Sequence, residues 1–295
     1  MIRYLPLIVC LAFYGCAKTD QIVVVSKNFG EQVLLGELLA QHIEKKTGIS
    51  VQRKLHLGGT FICHEALKSG EADLYVEYTG TALTAILKKA PKTDRDVVYN
   101  EVKKAYQDRF DLEWTEPLGF NNTFAIIIRD EEAKRLGIQT ISEASRHTPQ
   151  WKAGFGYEFM ERKDGFPGLA AAYGLKFSQP PRVMDLTLTY RAIAEKQVDF
   201  IAGNSTDGII SKLKLFVLKD DKHYFPPYDA APVVRSETLR RHPQIRTALK
   251  ELAGKISEEE MRKMNYLVDG EHKDVKVVAA DFLKSLEADR AGGSH

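Results

Sequence analysis

Two glycine-containing turns, each between an apolar strand and a helix, constrain this chain more than any other feature. A GGT turn at 58–60 follows the run VQRKLHL, and a TGT turn at 79–81 follows the apolar segment 74–76. Glycine lets the backbone approach a neighbour closely, and the first amides of a helix have no partner within it. Such a turn can bind an anion through its main chain, or it can serve helix packing alone.

Apolar strands and amphipathic helices alternate along most of the chain. An apolar run at 21–25 is typical of a buried parallel strand, and the helix that follows it carries one apolar face. Another apolar strand at 123–128 opens a second series after a crossing near Gly119, and the segment 226–228 marks the return. This pattern predicts an α/β fold of two lobes, with ligands bound beyond the carboxyl ends of parallel strands. Lobe 1 is expected to comprise residues 21–119 and 227–295, and lobe 2 residues 120–226.

Length and charge narrow the class of protein. The chain has 295 residues, more than one typical domain, and 44% of them are hydrophobic. The net charge is only +2, and no long run of like charge occurs, so nucleic acid is not expected as a partner.

The first sixteen residues are expected to form a signal peptide. Arg3 precedes an apolar core at 5–14, which is too short to span a membrane as a helix. The junction Gly15-Cys16 resembles the lipobox of bacterial lipoproteins, although Phe13 and Tyr14 depart from its usual residues. We expect lipid attachment at Cys16, with simple cleavage or an uncleaved anchor as the alternatives.

Five motifs stand in the order found in one protein family. They are SKNFGEQ at 26–32, GGT at 58–60, VEYTGTA at 76–82, GFNNT at 119–123 and PPYDA at 226–230. Across nearly the whole mature chain, the sequence resembles the substrate-binding proteins of osmoprotectant ABC importers, which take up glycine betaine, choline, carnitine and related compounds. The resemblance implies a periplasmic-binding-protein fold, type II-like, with the ligand cleft between the lobes. It also implies a monomer in the periplasm or on the outer face of the membrane, working with a membrane permease and its ATPase.

The resemblance assigns one group of residues to the carboxylate end of a zwitterionic ligand. Lys27, Thr81 and Arg162 would hold that carboxylate, since a fixed cation with hydroxyl donors suits it. Because Lys27 belongs to the first lobe and Arg162 to the second, the ligand would bridge the cleft and favour the closed form. Either cation could instead be an ordinary solvated surface charge.

A second group would hold the quaternary ammonium, which cannot donate a hydrogen bond and is best held by aromatic faces. Tyr78 and Tyr228 would be cage walls, with Phe124 where many relatives carry tyrosine, although each could be a core aromatic. Asn122 is also expected to be one of the ligand-binding residues of this cleft. Asn204 stands where betaine binders of this family usually present a tyrosine. The incomplete cage leaves open a different small ligand, such as an amino acid derivative with hydrogen-bond donors, or a sensory role.

No motif points to catalysis, a metal or a cofactor. Nucleophile-elbow and phosphate-loop patterns are absent, and the eight histidines show no metal-ligand spacing. Cys63 and His64 are adjacent on a helix and would face different directions. Glu158 and Asp164 could be imagined as a catalytic carboxylate pair, but such pairs are common by chance. We therefore expect a binding protein and not an enzyme.

Overall fold

The computed structural model describes residues 21–292, which form two five-stranded β-sheets with helices on their faces. The first sheet has the order β2-β1-β3-β10-β4 and contains β1 (Gln21–Lys27), β2 (Ser50–Gly58), β3 (Leu74–Tyr78), β4 (Leu112–Trp114) and β10 (Ala230–Arg235). The second sheet has the order β7-β6-β8-β5-β9 and contains β5 (Phe124–Arg129), β6 (Ala153–Gly156), β7 (Arg182–Met184), β8 (Phe200–Asn204) and β9 (Leu215–Leu218). The α/β fold with two lobes is confirmed.

The helices fall between the strands and after the last of them. They are α1 (Gly30–Thr47), α2 (Thr60–Ser69), α3 (Thr79–Thr81), α4 (Arg95–Phe110), α5 (Asp130–Leu136), α6 (Ile141–Ala144), α7 (Tyr157–Glu161), α8 (Phe166–Tyr173), α9 (Leu186–Ala194), α10 (Ile209–Lys212), α11 (Ser236–Arg241), α12 (Gln244–Lys250), α13 (Glu258–Asn265) and α14 (Val275–Gly292). Helices α12, α13 and α14 pack on α1, so the C-terminal end of the chain returns to the first sheet. Among the described residues, none of the helices combines the length and apolar character that crossing a membrane requires.

Both sheets are mixed, whereas the apolar runs predicted parallel ones. Strands β1, β2 and β3 are parallel, but β10 pairs antiparallel with β3 and β4. In the second sheet, β5 pairs antiparallel with β8 and β9. The reason is topological. Each crossing delivers the chain at the cleft edge, where the parallel strands end, so the next strand must run back from that edge.

The two crossings lie side by side as a short antiparallel pair. The Asn122 amide donates to the Tyr228 carbonyl at 3.0 Å, and the Ala230 amide donates to the Phe120 carbonyl at 3.2 Å. The main-chain bonds between these segments hold the two passages between the sheets side by side. We propose that the polypeptide passes from lobe 1 to lobe 2 and back again at these two segments, with lobe 2 comprising residues 120–226.

Candidate functional site

A cavity of about 130 Å³ lies between the two sheets, beyond the ends of β1, β3, β6 and β8. All eight expected ligand-binding residues line it: Lys27, Tyr78, Thr81, Asn122, Phe124, Arg162, Asn204 and Tyr228. Phe29, Phe159 and Glu158 also line it and were not expected there. The cavity has room for a small molecule and not for a peptide, since an apolar cavity of about 150 Å³ holds a benzene molecule.

Aromatic side chains form the wall of the cavity around Phe124. The Phe124 ring lies 5.5 Å from the Tyr228 ring and 4.9 Å from the Phe159 ring, centroid to centroid. The Tyr78 hydroxyl donates to Glu31 at 2.6 Å, and the Tyr228 hydroxyl donates to Asp164 at 2.8 Å. Burial raises the pKa of both tyrosines well above the usual value, so both hydroxyls remain donors. These bonds anchor the rings that line the cavity.

Arg162 already forms an ion pair with a carboxylate of the protein itself, that of Asp164. Its Nε donates to Asp164 Oδ1 at 2.9 Å, and its Nη2 donates to Asp164 Oδ2 at 2.5 Å. Its Nη1 donates to Thr81 Oγ1 at 3.2 Å, which links the second sheet to the first. Three of the five guanidinium N–H groups are therefore used, and two remain for a ligand.

Asp164 is held ionised by its neighbours. Burial alone would raise its pKa, but hydrogen bonds from Arg162, Thr84 and Tyr228 outweigh burial and hold the pKa of Asp164 below its ordinary value. The Thr84 hydroxyl and the Tyr228 hydroxyl reach the same oxygen, Oδ2, at 2.7 and 2.8 Å. This carboxylate thus fixes both Arg162 and one aromatic wall.

Lys27 has a protein partner in the same way. Its Nζ donates to Glu77 Oε1 at 2.5 Å and lies 4.9 Å from the centroid of the Tyr78 ring. Glu77 is fully buried and also accepts from the Tyr75 hydroxyl and the Tyr78 amide. An ammonium has three donors, so two remain for a ligand.

Glu31 is a buried carboxylate that accepts hydrogen bonds from four side chains, and the sequence analysis did not identify it. Its carboxylate accepts hydrogen bonds from Tyr78 at 2.6 Å, Asn122 at 2.8 Å, Thr206 at 2.5 Å and Asn265 at 2.8 Å. These donors come from β3, the first crossing, the segment after β8 and α13. Glu31 lies in the first turn of α1, where the helix dipole favours a negative charge. This position in the first turn of a predicted helix was the one feature of the sequence that could have drawn attention to Glu31.

The GGT turn at 58–60 does bind an anion, and the anion is the side chain of Glu158. The Thr60 amide at the start of α2 donates to Glu158 Oε1 at 2.6 Å, and the Thr60 hydroxyl lies 3.3 Å from Oε2. Glu158 belongs to α7 on the second sheet, so this contact spans the cleft between the two sheets. A Cβ on Gly59 would lie 2.1 Å from Glu158 Oε1, so a larger residue at this position would displace the Glu158 carboxylate from the turn.

Asn204 ends β8 directly opposite Phe124 in the antiparallel register. Its amide nitrogen Nδ2 donates to Asp207 Oδ2 at 3.2 Å, and its main-chain N–H donates to the same oxygen at 2.8 Å. Burial raises the pKa of Asp207 to about 7. The position where the expected cage lacks a tyrosine is thus an amide held by an acidic neighbour.

Carboxylates outnumber cations around the cavity. Glu158 and Asp185 line the cavity together with the two cationic side chains, Lys27 and Arg162. Glu77, Asp164 and Glu31 lie behind the lining, bonded to Lys27, Arg162 and Tyr78 respectively. Both cations are paired, so the surplus charge is negative and favours a cationic group on the ligand. Within residues 21–292, no cluster of three or more His, Cys, Asp or Glu side chains suits a metal ion.

The chain is similar to several known proteins over most of its length. Residues 20–285 match the model of the family described as the substrate binding domain of ABC-type glycine betaine transport system. The carnitine transport binding protein OpuCC of Listeria monocytogenes is 35% identical over 274 residues, which cover 92% of this chain and 88% of that protein. A crystal structure described as a glycine betaine/carnitine/choline ABC transporter is 36% identical with a TM-score of 0.74, over 90% of this chain and 98% of that one.

One relative is a longer protein with a different named substrate. The ergothioneine transport permease/ergothioneine binding protein EgtU of Helicobacter pylori is 39% identical over 266 residues, which cover 90% of this chain. The match spans only 47% of that protein's length.

Proposed function

The chain belongs to the family of substrate-binding domains of ABC-type glycine betaine transport systems, and we propose that it captures a small quaternary-ammonium compound for an ABC importer. The observation that carries the proposal is the wall of aromatic rings beside a surplus of carboxylates. A quaternary ammonium on such rings gains about 0.5–2 kcal/mol from each ring. The relatives named above are transport proteins, which favours import over a sensory role.

The ligand is proposed to lie with its ammonium against Tyr78, Phe124 and Tyr228. A carboxylate on the ligand would meet the remaining donors of Lys27 and Arg162, with Thr81 beside them. These donors come from both lobes, so a bound ligand adds contacts that exist only in the closed form. Asn122 and Asn204 complete the proposed site on the side that lacks a third tyrosine.

A membrane permease and its ATPase are the proposed partners. The matched part of EgtU is joined to a permease in one chain, which supports a permease as the partner of this chain as well. Binding proteins of ABC importers act outside the cytoplasmic membrane, so we place this chain there. Cys16 lies outside the described residues, and its lipidation stays a proposal, as does a monomeric state. No catalytic step is proposed.

A thermal-shift screen tests this function directly. The purified protein is melted with glycine betaine, choline, carnitine and ergothioneine, each over a range of concentrations. A true ligand stabilises the fold by about 2.7 kcal/mol at a hundredfold excess over its dissociation constant. We expect at least one compound to raise Tm in a saturable way, and a flat response to all four would refute the proposal.

A matched pair of variants assigns the effect to the cage. Phe124→Leu removes a ring that lines the cavity, whereas Phe225→Leu removes a ring that contacts Phe124 5.5 Å away without lining the cavity. We expect Phe124→Leu to weaken binding roughly 2- to 30-fold and Phe225→Leu to leave it nearly unchanged.

A further inference from the structure

The side-chain amide of Asn204 depends on one protein partner, Asp207. Its Nδ2 lies 3.2 Å from Asp207 Oδ2 and 3.4 Å from Oδ1, and within residues 21–292 this amide has no other hydrogen bond. A carboxylate only accepts hydrogen bonds, so an ionised Asp207 requires the NH₂ group of Asn204 to face it. Asn204 is half-buried and lines the ligand cavity, so its carbonyl oxygen is the end of the amide left for a ligand.

Asp207 is itself held by two donors that do not depend on its charge. Its Oδ2 accepts from the main-chain N–H of Asn204 at 2.8 Å and from the Tyr190 hydroxyl at 2.5 Å. Burial raises the pKa of Tyr190 well above the usual value, so its hydroxyl remains a donor. With Oδ2 occupied in this way, Oδ1 is the oxygen that a proton would take.

A proton on Oδ1 would reverse the Asn204 amide. The new O–H group would face the NH₂ group of Asn204, and two donors cannot bond to each other. Rotation of the amide by half a turn brings the carbonyl oxygen of Asn204 to the proton and turns the NH₂ group away. The two ends of an amide are almost the same size, so this exchange needs little repacking.

The surroundings of Asp207 allow it to titrate. Asp207 and Asn204 both line a second cavity, of about 520 Å³, through which water can bring a proton. Burial, followed by the Glu31 carboxylate, raises the pKa of Asp207 to about 7. The other charged groups facing this cavity or beside it are Arg191 and Glu195, which pair with each other on α9, Lys212, which donates to the Gly270 carbonyl, and Asp269 and His272.

We propose that Asp207 is a positioning residue for ligand binding, which by losing or gaining a proton decides whether Asn204 presents its carbonyl oxygen or its NH₂ group to the ligand. The inference rests on the proposed function and adds a pH response to it. A quaternary ammonium is attracted by the negative end of the amide dipole and repelled by the positive end. Ionised Asp207 therefore favours binding, and protonated Asp207 weakens it.

Calorimetric titrations at pH 5 and pH 8 test the response with choline and glycine betaine. Neither compound changes its charge in this range, so a pH dependence belongs to the protein. We expect binding to be about fivefold tighter at pH 8, the effect of one hydrogen-bond-sized contact. The two affinities should agree within about twofold in Asp207→Asn, which cannot ionise.

Two further variants separate the amide from other causes. Asn204→Ala leaves the charge of Asp207 in place, so its two affinities should also become nearly equal if the amide carries the effect. Asp269→Asn removes a neighbouring carboxyl group that does not bond to Asn204, and it should keep the full difference. A full difference in Asn204→Ala, or equal affinities at both pH values in the unaltered protein, would overturn the inference.

Nuclear magnetic resonance tests the amide without any ligand. The side-chain NH₂ resonances of Asn204, assigned by their loss in Asn204→Ala, should shift through neutral pH in the unaltered protein and stay constant in Asp207→Asn. Resonances that do not move with pH in the unaltered protein would overturn the inference. Failure of both compounds to bind at either pH would count against the proposed function, and the resonances would still decide the role of Asp207.

Discussion

At the residue scale, Arg162 and Asp164 form a buried ion pair beside the proposed ligand. Arg162 is 6% exposed and Asp164 3%. Burying two charges is costly, and removing one partner leaves the other uncompensated. The pair therefore ties the shape of the site to the stability of the fold.

The first prediction concerns this pair. Arg162→Met should lower the free energy of unfolding by about 3–5 kcal/mol, because it leaves the buried Asp164 carboxylate without a counter-ion. Adding Asp164→Asn should recover at least half of that loss, since an amide needs no counter-ion and still accepts from Thr84 and Tyr228. Urea unfolding measures both. The control Arg135→Met removes an exposed arginine and should change stability by less than about 0.5 kcal/mol. A similarly small effect of Arg162→Met would contradict the prediction.

Asp207 gives a second prediction at this scale. Burial raises its folded pKa to about 7, above the ordinary value of about 3.9 that it takes in the unfolded chain. Its contribution to stability is therefore fully present below pH 4 and is lost as pH rises through 7. We expect a Tm a few degrees higher at pH 5 than at pH 8.

The variant Asp207→Asn isolates this contribution. It cannot ionise, so the difference in Tm between pH 5 and pH 8 should shrink by at least half. An unchanged pH dependence in Asp207→Asn would show that other groups are responsible.

At the scale of elements, the contact between α2 and α7 holds the two sheets together across the cleft. The Thr60 amide and the Glu158 carboxylate meet at 2.6 Å, so a negative side chain lies at the N-terminus of α2. Such a contact contributes about 0.3–1 kcal/mol, and up to about 2 when partly buried. Because it joins the two lobes, opening the cleft would break it, so we expect it to favour the closed, ligand-bound form.

The third prediction is that Glu158→Gln weakens ligand binding about three- to tenfold. The control is Glu161→Gln, which removes an exposed carboxylate from the same helix α7. Calorimetry gives the affinities, and small-angle scattering gives the compactness of the ligand-free protein. Equal affinities for the two variants would show that the contact does not stabilise closure.

The strands and helices were largely readable from the sequence because their apolar runs have regular periods. The helix ends at Gly48 and Gly70 were also readable, since both residues adopt the left-handed conformation, with φ of 73° and 83°. Strand direction was not readable, because an apolar run such as β10 looks the same whether it pairs parallel or antiparallel.

The site residues could be predicted from the sequence only through the family resemblance. The carboxylates that pair with the cationic site residues could not be predicted at all. Glu77 and Asp164 neutralise Lys27 and Arg162, but a buried carboxylate is recognised by its tertiary contacts, which the sequence does not display. Glu158 was set aside as a chance acidic residue for the same reason. Its role depends on a helix N-terminus 98 residues away in the chain.

At the scale of the whole molecule, three features join the two sheets. They are the paired crossing segments, the contact between Thr60 and Glu158, and the hydrogen bonds to Glu31. Glu31 gathers donors from β3, the first crossing, the segment after β8 and α13. The proposed ligand would add a further link, because we expect its ammonium and its polar end to contact both lobes. The central claim is therefore that a positively charged quaternary nitrogen is recognised inside this closed cleft.

The most direct test is a calorimetric titration that changes only that charge. The compound that stabilises the protein most among carnitine, ergothioneine, choline and glycine betaine is compared with its analogue in which carbon replaces the quaternary nitrogen. The two molecules share shape and differ in charge, so the aromatic walls should distinguish them. We predict that the carbon analogue binds at least about tenfold more weakly. Equal affinity for the two compounds, or no saturable binding of any of the four, would contradict the account.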